Sequence, residues 1–483
     1  MLPDRKVALK NYRELKLRKK AFVFSLFIPG LGQFLTGRKI TGLAFFTLFF
    51  FPFYYLYLIG LSLNYGTISL LISQITLYIL QAWDALKSAK RETSPCEDFC
   101  PAKVNIPAFM GKCEEGNVEG AWGIFSIYSP FPFTLGEICH APCEEKCGIL
   151  PERPLRIREV HRELGKTFLN QLEIKRRPPF LPLTDKKVAV IGGGIAGITA
   201  AYYLASAGIH VDIFEKENEL GGTLNYIPNF KLDKELFQKE IALATSFNCI
   251  RIFTEKEIES IPKTYDAVIV AVGSQKEKQL EIPIQGTPNI IYPLSFLKNP
   301  PRPLTSKKIV IIGAGDTAFD VARLSVRLGA ETTIFYRSSE SSMKAQRKEI
   351  SAAIKEGVKI RTNCQPEKIK DNTIIFSCGQ VSFDYLIPAI GFEKDEKFIN
   401  QLRSNHPNVV LAGDAENGMS NAALASYSGK LAAYKVLKML KLQDRAWFMV
   451  DIKGKKPPKP QGENIFLVSE SSLCQHCGEK VRS

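Results

Sequence analysis

Between Thr41 and Trp83 the chain has no lysine, arginine, aspartate or glutamate. One spanning helix needs about 20 apolar residues, so this uncharged run is long enough for two. Asn64, Tyr65 and Gly66 supply a turn between LAFFTLFFFPFYYLYLIGL and TISLLISQITLYILQAW. The flanks are basic, with Arg38 and Lys39 on one side and Lys87, Lys90 and Arg91 on the other, while the turn carries no charge. The positive-inside rule then puts both ends in the cytoplasm. A transmembrane hairpin in the cell inner membrane is expected, with membrane lipid as a partner and the rest of the chain facing the cytoplasm. A buried helical hairpin in a soluble core is the alternative.

No secretory signal peptide is recognised, so the eleven cysteines do not suggest a disulfide scaffold. Spaced cysteines in a reducing compartment more often serve metal or redox chemistry. Cys113, Cys249, Cys364 and Cys378 each stand alone in ordinary helix or strand contexts and are expected to be small buried hydrophobes. Acidic residues fall short of basic ones, leaving a formal charge of +15. The basic stretches, such as KSAKR (87–91) and KGKKPPKP (453–460), are not interleaved with aromatic residues in any nucleic-acid module, and no nucleic-acid partner is expected. With 45% apolar residues over 483 positions, about three domains can each bury a core.

After the proline-rich linker KRRPPFLPLTD the pattern becomes KKVAVIGGGIAGITAAYYLASAGIHVDIFEKENELGG. A buried strand runs into Gly192, Gly194 and Gly197, spaced G-x-G-x-x-G, then a helix, then a second strand ending in Glu215. That order is the dinucleotide fingerprint. Glycines make the turn and admit a pyrophosphate, the helix N-terminus faces the phosphates, and the acid accepts hydrogen bonds from a ribose diol. The unit recurs as KKIVIIGAGDTAFDVARLSVRLGAETTIFYR, with Gly313, Gly315, Asp316 and Ala318 at the turn and Arg337 where the first unit has an acid. A guanidinium pairs with a 2′-phosphate that a carboxylate would repel, which favours NADPH over NADH at the second site. YDAVIVAVGS, FDYLIPAIGF and NVVLAGDAENG read as further short strands, the last running into Gly413 and Asp414.

Between the uncharged run and the first fingerprint lie SPCEDFCPAKVNIPAF and GEICHAPCEEKCGILPERPLRIREVHREL. With GGTLNYIPNFKL (holding Gly222), GAGDTAFD, FYR, AIGF and AGDAENG, these pieces resemble the glutamate synthase small-subunit family, which includes the flavin half of dihydropyrimidine dehydrogenase. The resemblance runs from about Cys96 to Leu440. At the front, IPGLGQFLTGRKITG resembles small bacterial membrane modules of the TM2-like type.

The family resemblance implies FAD at the first site, with Asp414 on its ribityl chain, NAD(P)H at the second, and two four-iron clusters. It also implies an α/β fold of two Rossmann-like dinucleotide domains, the NAD(P) domain inserted in the FAD domain, beside a helical iron–sulfur domain. The expected boundaries are a membrane anchor at 1–90, the iron–sulfur domain at 91–180 and the leading segment of the FAD domain at 181–298. The NAD(P)H domain follows at 299–398, the returning segment of the FAD domain at 399–445 and a C-terminal tail at 446–483. Relatives open the cluster domain with a C-x-x-C pair that is absent here. The family pattern gives cluster one Cys96, Cys147 and that missing pair, a place Cys474 and Cys477 of the tail would fill. It gives cluster two Cys100, Cys139, Cys143 and a non-cysteine ligand downstream, glutamine in the dihydropyrimidine dehydrogenase branch; His161 falls near that position here, with Glu163 as a substitute. A zinc half-site, a mobile redox pair and a subunit contact are the other readings of the tail.

The expected function is a membrane-anchored iron–sulfur flavoprotein passing electrons from NAD(P)H to a partner protein or membrane acceptor. No acid–base side chain is nominated, because the hydride step needs none. The rivals are an NADPH-dependent disulfide reductase using the C-terminal pair and a non-catalytic nucleotide-sensing scaffold.

Overall fold

The computed structural model describes residues 94–147, 154–258, 260–274, 276–418 and 420–449, with scattered helical residues between 43 and 80. The hairpin expected at 41–83 lies mostly outside the described residues, and Cys474 and Cys477 lie wholly outside them. Among the described residues no helix is long and apolar enough to cross a membrane.

Two parallel sheets organise the chain. In the first, the strands run Val409–Leu411, Ala267–Val270, Lys187–Ile191, His210–Phe214, Ile250–Phe253 from edge to edge, all parallel. Their continuous apolar stretches suit strands covered on both faces. The edge strand Val409–Leu411 arrives only after the second sheet has been built. In that second sheet the order is Tyr385–Pro388, Lys308–Ile312, Glu331–Phe335, Lys359–Arg361, again parallel. Beside it the strands Pro366–Lys370, Thr373–Phe376 and Gly379–Ser382 form an antiparallel meander, with Ile284–Gln285 paired to its first strand.

Among the described residues, the stretch 95–171 holds six helices: Pro95–Phe99, Ile106–Glu114, Val118–Phe125, Pro132–Ile138, Pro142–Glu145 and the longer Ile157–Gln171. Four have proline in their first turn, where its missing N–H costs nothing. Asn105 and Asn117 cap two of them, accepting from the N–H of Ala108 at 3.0 Å and of Gly120 at 2.7 Å. Gly165 lets Ile157–Gln171 cross Pro132–Ile138 closely, since a Cβ there would sit 2.5 Å from the Phe133 Cα.

This helical part shares one apolar core with the first sheet. Buried polar contacts cross the same boundary. Tyr203 donates to the Ser126 carbonyl at 3.0 Å, and the Ser129 and Ser426 hydroxyls meet at 2.8 Å. Glu240 receives the N–H groups of Phe133 and Thr134 at 2.7 and 2.9 Å and the Thr134 hydroxyl at 2.5 Å. It thereby caps the helix that leads to Cys139.

Candidate functional site

Gly192 ends the first central strand at φ 102°, a left-handed conformation that favours glycine, and a Cβ there would lie 2.4 Å from the Ala271 carbonyl oxygen. Gly197 sits one turn into the helix Ile195–Ser206 against the Gly192 carbonyl. Gly194 is open toward the Gly222 Cα, 4.0 Å from where its own Cβ would be. No side chain lies within 4 Å of the Cβ position at Gly194. Glu215 is fixed beside it, with one carboxylate oxygen accepting from the Gly193 N–H at 2.7 Å and the other from the Glu217 N–H at 3.0 Å. Gly413 abuts Ala196 of the same helix. The neighbouring Asp414 accepts from the N–H and hydroxyl of Ser420 at 3.1 and 2.5 Å. Burial pushes its carboxyl upward against those two bonds. These residues fit a dinucleotide along the helix N-terminus with its pyrophosphate on bare backbone.

The second unit repeats the geometry. Gly313 has φ 121° and faces the Ala389 carbonyl, while Gly315 has open space where a side chain would be. Ala318 is fully buried in the helix Asp316–Arg327. Arg337 is exposed, two residues past the strand Glu331–Phe335. Sequence reading missed its neighbour: Arg361, on the adjacent strand, lies opposite Phe335, with its guanidinium 5.9 Å from that ring. The Tyr336 N–H donates to the Arg361 carbonyl at 2.9 Å, so the fold brings a second cation beside the Arg337 loop from another strand.

Asp316 turns away from a purely phosphate role. Its Oδ2 meets the His140 ring Nε2 at 2.6 Å, and the Gln346 N–H approaches Oδ1 at 3.4 Å. Burial acts to raise its carboxyl, but the His140 hydrogen bond and the Lys231 charge hold it below the usual range. Arg158 donates to the Gln346 side chain at 2.8 Å and to the Cys139 carbonyl at 2.9 Å. The turn holding Cys139 is thus docked on the N-terminal end of the second nucleotide helix. No local pattern in the sequence announced this, because the His140–Asp316 pair spans 176 residues.

The cysteines sit at the ends of the short helices. Cys96, Cys100 and Cys143 are buried, and Cys139 and Cys147 are half-buried. Burial pushes the Cys100 thiol up to about 11 and that of Cys143 higher still. Cys143 is also raised by the nearness of Cys100, Cys139 and Cys96, so these four thiols share one neighbourhood. Among the described residues no three ligand side chains close around a single ion. A multi-iron cluster spaces its sulfurs more widely, and thiols gathered in this way suit thiolate ligation. His161 is buried with its Nε2 unpartnered, stacked on Phe125 at 3.9 Å and near Phe109 at 6.0 Å. Burial lowers its pKa to about 3, so the imidazole is neutral, the form that can ligate a metal.

One expectation is corrected. Cys364 and Cys378 are not isolated hydrophobes: they form a disulfide with Cα atoms 5.2 Å apart. Fourteen residues separate them in sequence, and the meander brings them together. Cys113 and Cys249 are buried, as expected.

Two family models match the chain. One, described as pyridine nucleotide-disulphide oxidoreductase, covers residues 186–429, half of the chain. The other, dihydropyrimidine dehydrogenase domain II with a 4Fe-4S cluster, covers residues 76–172. The glutamate synthase [NADPH] small chain of Azospirillum brasilense is 28% identical over 306 residues, 58% of this chain and 63% of the relative. The NADP(+)-dependent formate dehydrogenase subunit beta of Moorella thermoacetica is 28% identical over 431 residues, 72% of this chain and 60% of the relative. The NADPH-Fe(3+) oxidoreductase subunit beta of Geobacter sulfurreducens is 30% identical over 305 residues, 57% of this chain and 44% of the relative. The chain spans about half the length of the curated relatives it matches.

Proposed function

The chain belongs to the pyridine nucleotide-disulphide oxidoreductase family, whose members are FAD-dependent enzymes acting on NAD(P)H, and we propose that this protein carries electrons from NAD(P)H to an acceptor outside the chain. Its cofactors are FAD, NADPH and four-iron iron–sulfur clusters. When bound, FAD supplies hydride acceptance and the clusters supply one-electron carriage. The protein's own part is binding and placement. Gly192, Gly194, Gly197, Glu215, Gly222, Gly413 and Asp414 hold the FAD. Gly313, Gly315, Ala318 and Arg337 hold the nicotinamide dinucleotide, with Asp316 shared between that helix and His140.

The observation that carries the reading is the docking of the Cys139 turn on the second nucleotide helix through His140–Asp316 and Arg158–Gln346. Thiol ligands set against the nucleotide-binding half are what electron transfer between them requires. We assign two clusters. Cys96 and Cys147 join Cys474 and Cys477 in one; Cys100, Cys139 and Cys143 join His161 in the other, whose orphaned Nε2 supports that role. The acceptor is a separate protein or a membrane acceptor. The uncharged segment 41–83 with its basic flanks supports an inner-membrane anchor with cytoplasm-facing catalytic domains. So do the exposed apolar side chains of helical residues such as Leu43, Tyr54 and Ile75.

Anaerobic purification with iron, sulfide and flavin analysis tests this. One flavin that NADPH bleaches and about eight irons are expected, falling to about four in the Cys474→Ser/Cys477→Ser variant. A wild-type protein without iron would sink the proposal. A variant that keeps every iron would remove only the tail from the ligand set.

A further inference from the structure

We infer that Cys364 and Cys378 form a reversible dithiol–disulfide site that sets how strongly the second nucleotide site prefers NADPH to NADH. The inference rests on the reading of Arg337 as the contact to the 2′-phosphate.

The loop at residues 336–338, which carries that arginine, leaves the strand Glu331–Phe335 and is held from the neighbouring segment by three backbone bonds. Tyr336 donates to the Arg361 carbonyl at 2.9 Å, Asn363 donates to the Ser338 carbonyl at 3.1 Å, and Cys364 donates to the Tyr336 carbonyl at 3.0 Å. Residues 361–364 therefore position Arg337 and present Arg361 beside it. This bracing segment is short and lies at the sheet edge. Asn363 within it turns the chain at φ 55°, a left-handed conformation that asparagine adopts more readily than other residues with side chains.

The disulfide holds the same segment from its other side. Cys364 is buried in the small core beneath the meander, with Phe335, Ile369, Ile374 and Phe376. Cys378 lies exposed in the turn between Thr373–Phe376 and Gly379–Ser382. The bond therefore clamps the bracing segment onto the meander. It is reachable from solvent on the Cys378 side only. Two hydrogen bonds between Gln365 and Ser377 also join these elements, one between backbones at 2.9 Å and the other, through the Ser377 hydroxyl, at 3.0 Å. Opening the disulfide thus loosens residues 361–364 without dismantling the meander.

The step balances with a dithiol reductant, small or protein-borne. Its thiolate attacks the exposed Cys378 sulfur and breaks the S–S bond, releasing Cys364, which takes up a proton. The reductant's second thiol resolves the mixed disulfide. Two cysteine thiols and one oxidised dithiol result, with two electrons moved to the pair. The electrostatic contact that this loosening weakens is the one to a 2′-phosphate, which NADH lacks. Reduced protein should lose NADPH affinity and keep its NADH affinity.

The test equilibrates the full-length holoprotein anaerobically with reduced and oxidised dithiothreitol at a series of ratios. Alkylation and mass spectrometry count the thiols at 364 and 378, and apparent Kd values come from the concentration dependence of flavin bleaching by NADPH and by NADH. Reduction is expected to weaken NADPH binding roughly fivefold or more, the lower end of ordinary coupling between sites, with NADH unchanged. The Cys364→Ser/Cys378→Ser variant should read as the reduced state at every ratio. Arg337→Ser, measured alongside, tests the underlying reading by erasing the NADPH preference at every ratio. If Arg337→Ser erases it while reduction changes nothing, or shifts both nucleotides equally, the switch is wrong and the reading stands. If Arg337→Ser leaves the preference intact, the reading itself fails and takes the switch with it. If Cys378 resists reduction at every ratio, the site is a fixed brace and the proposal is overturned.

Discussion

Glu240→Gln should abolish the loss of stability that this one carboxyl causes in the wild-type protein as the pH rises from about 5 to 8. Glu240 is completely buried, and burial lifts its carboxyl to about 8, more than the three donors from Phe133 and Thr134 can lower it. Its folded pKa lies above the unfolded value of 4.5. The stability it contributes is therefore fully present below pH 4.5 and is lost as the pH climbs through 8. Each pH unit between the folded and unfolded values is worth about 1.4 kcal/mol, so the loss is on the order of 3–5 kcal/mol across the window. Glutamine removes the ionisation but keeps only one acceptor oxygen, so part of the contact to those donors goes with it. Denaturant midpoints at several pH values, read as the difference between wild type and variant, check this. Parallel curves would show that Glu240 does not control the slope. Glu240→Leu should be worse at every pH, since it strands the Phe133 and Thr134 donors at about 1–3 kcal/mol each. It should also shed iron, because the capped helix ends at Cys139.

Lys231→Met should cost about 3–5 kcal/mol, the usual penalty for leaving one member of a buried ion pair alone. Lys231 Nζ meets Asp320 Oδ1 at 2.7 Å, with both side chains 7% exposed. Burial already lifts Asp320 to about 6 against the pull of that lysine. Without the lysine the carboxyl should move higher still and stay protonated near neutrality. The pair joins the loop after the flavin-side glycines to the second nucleotide helix. Arg323 and Arg327 extend the contact by lying over the Phe230 ring, 4.5 and 4.1 Å from its centroid. Loosening it should slow flavin bleaching by NADPH about tenfold or more, since small misplacements of reacting groups carry large rate penalties. The double variant Lys231→Met/Asp320→Leu should recover most of the stability, because no unpaired buried carboxyl remains, and still bleach slowly, because the link between the two halves is gone. A single variant with wild-type stability would refute the account.

Both predictions concern residues that reading the sequence did not single out. Gly192, Gly197 and Glu215, by contrast, were legible at once. Their meaning lies in spacing along one strand–turn–helix unit, where local geometry fixes which backbone faces the ligand. The cysteines of SPCEDFC and GEICHAPCEEKC were read through the family resemblance, and the fold sets Cys96, Cys100, Cys139 and Cys143 in one neighbourhood. Cys364 and Cys378 were misread because their pairing depends on the register of a three-stranded meander, which neither cysteine's neighbours encode.

The sequence by itself determined the two nucleotide folds, the thiol-rich helical segment between the uncharged run and the first sheet, and the contrast of Glu215 with Arg337. Short-range stereochemistry and hydrophobic periodicity dictate all of these. Only the tertiary structure decided that His140 meets Asp316, that Glu240 caps the helix leading to Cys139, that Lys231 is neutralised by Asp320, and that a disulfide braces the Arg337 loop. Those contacts join residues 14 to 176 positions apart. They form only where packed surfaces bring the partners together, and burial then makes each polar partner necessary.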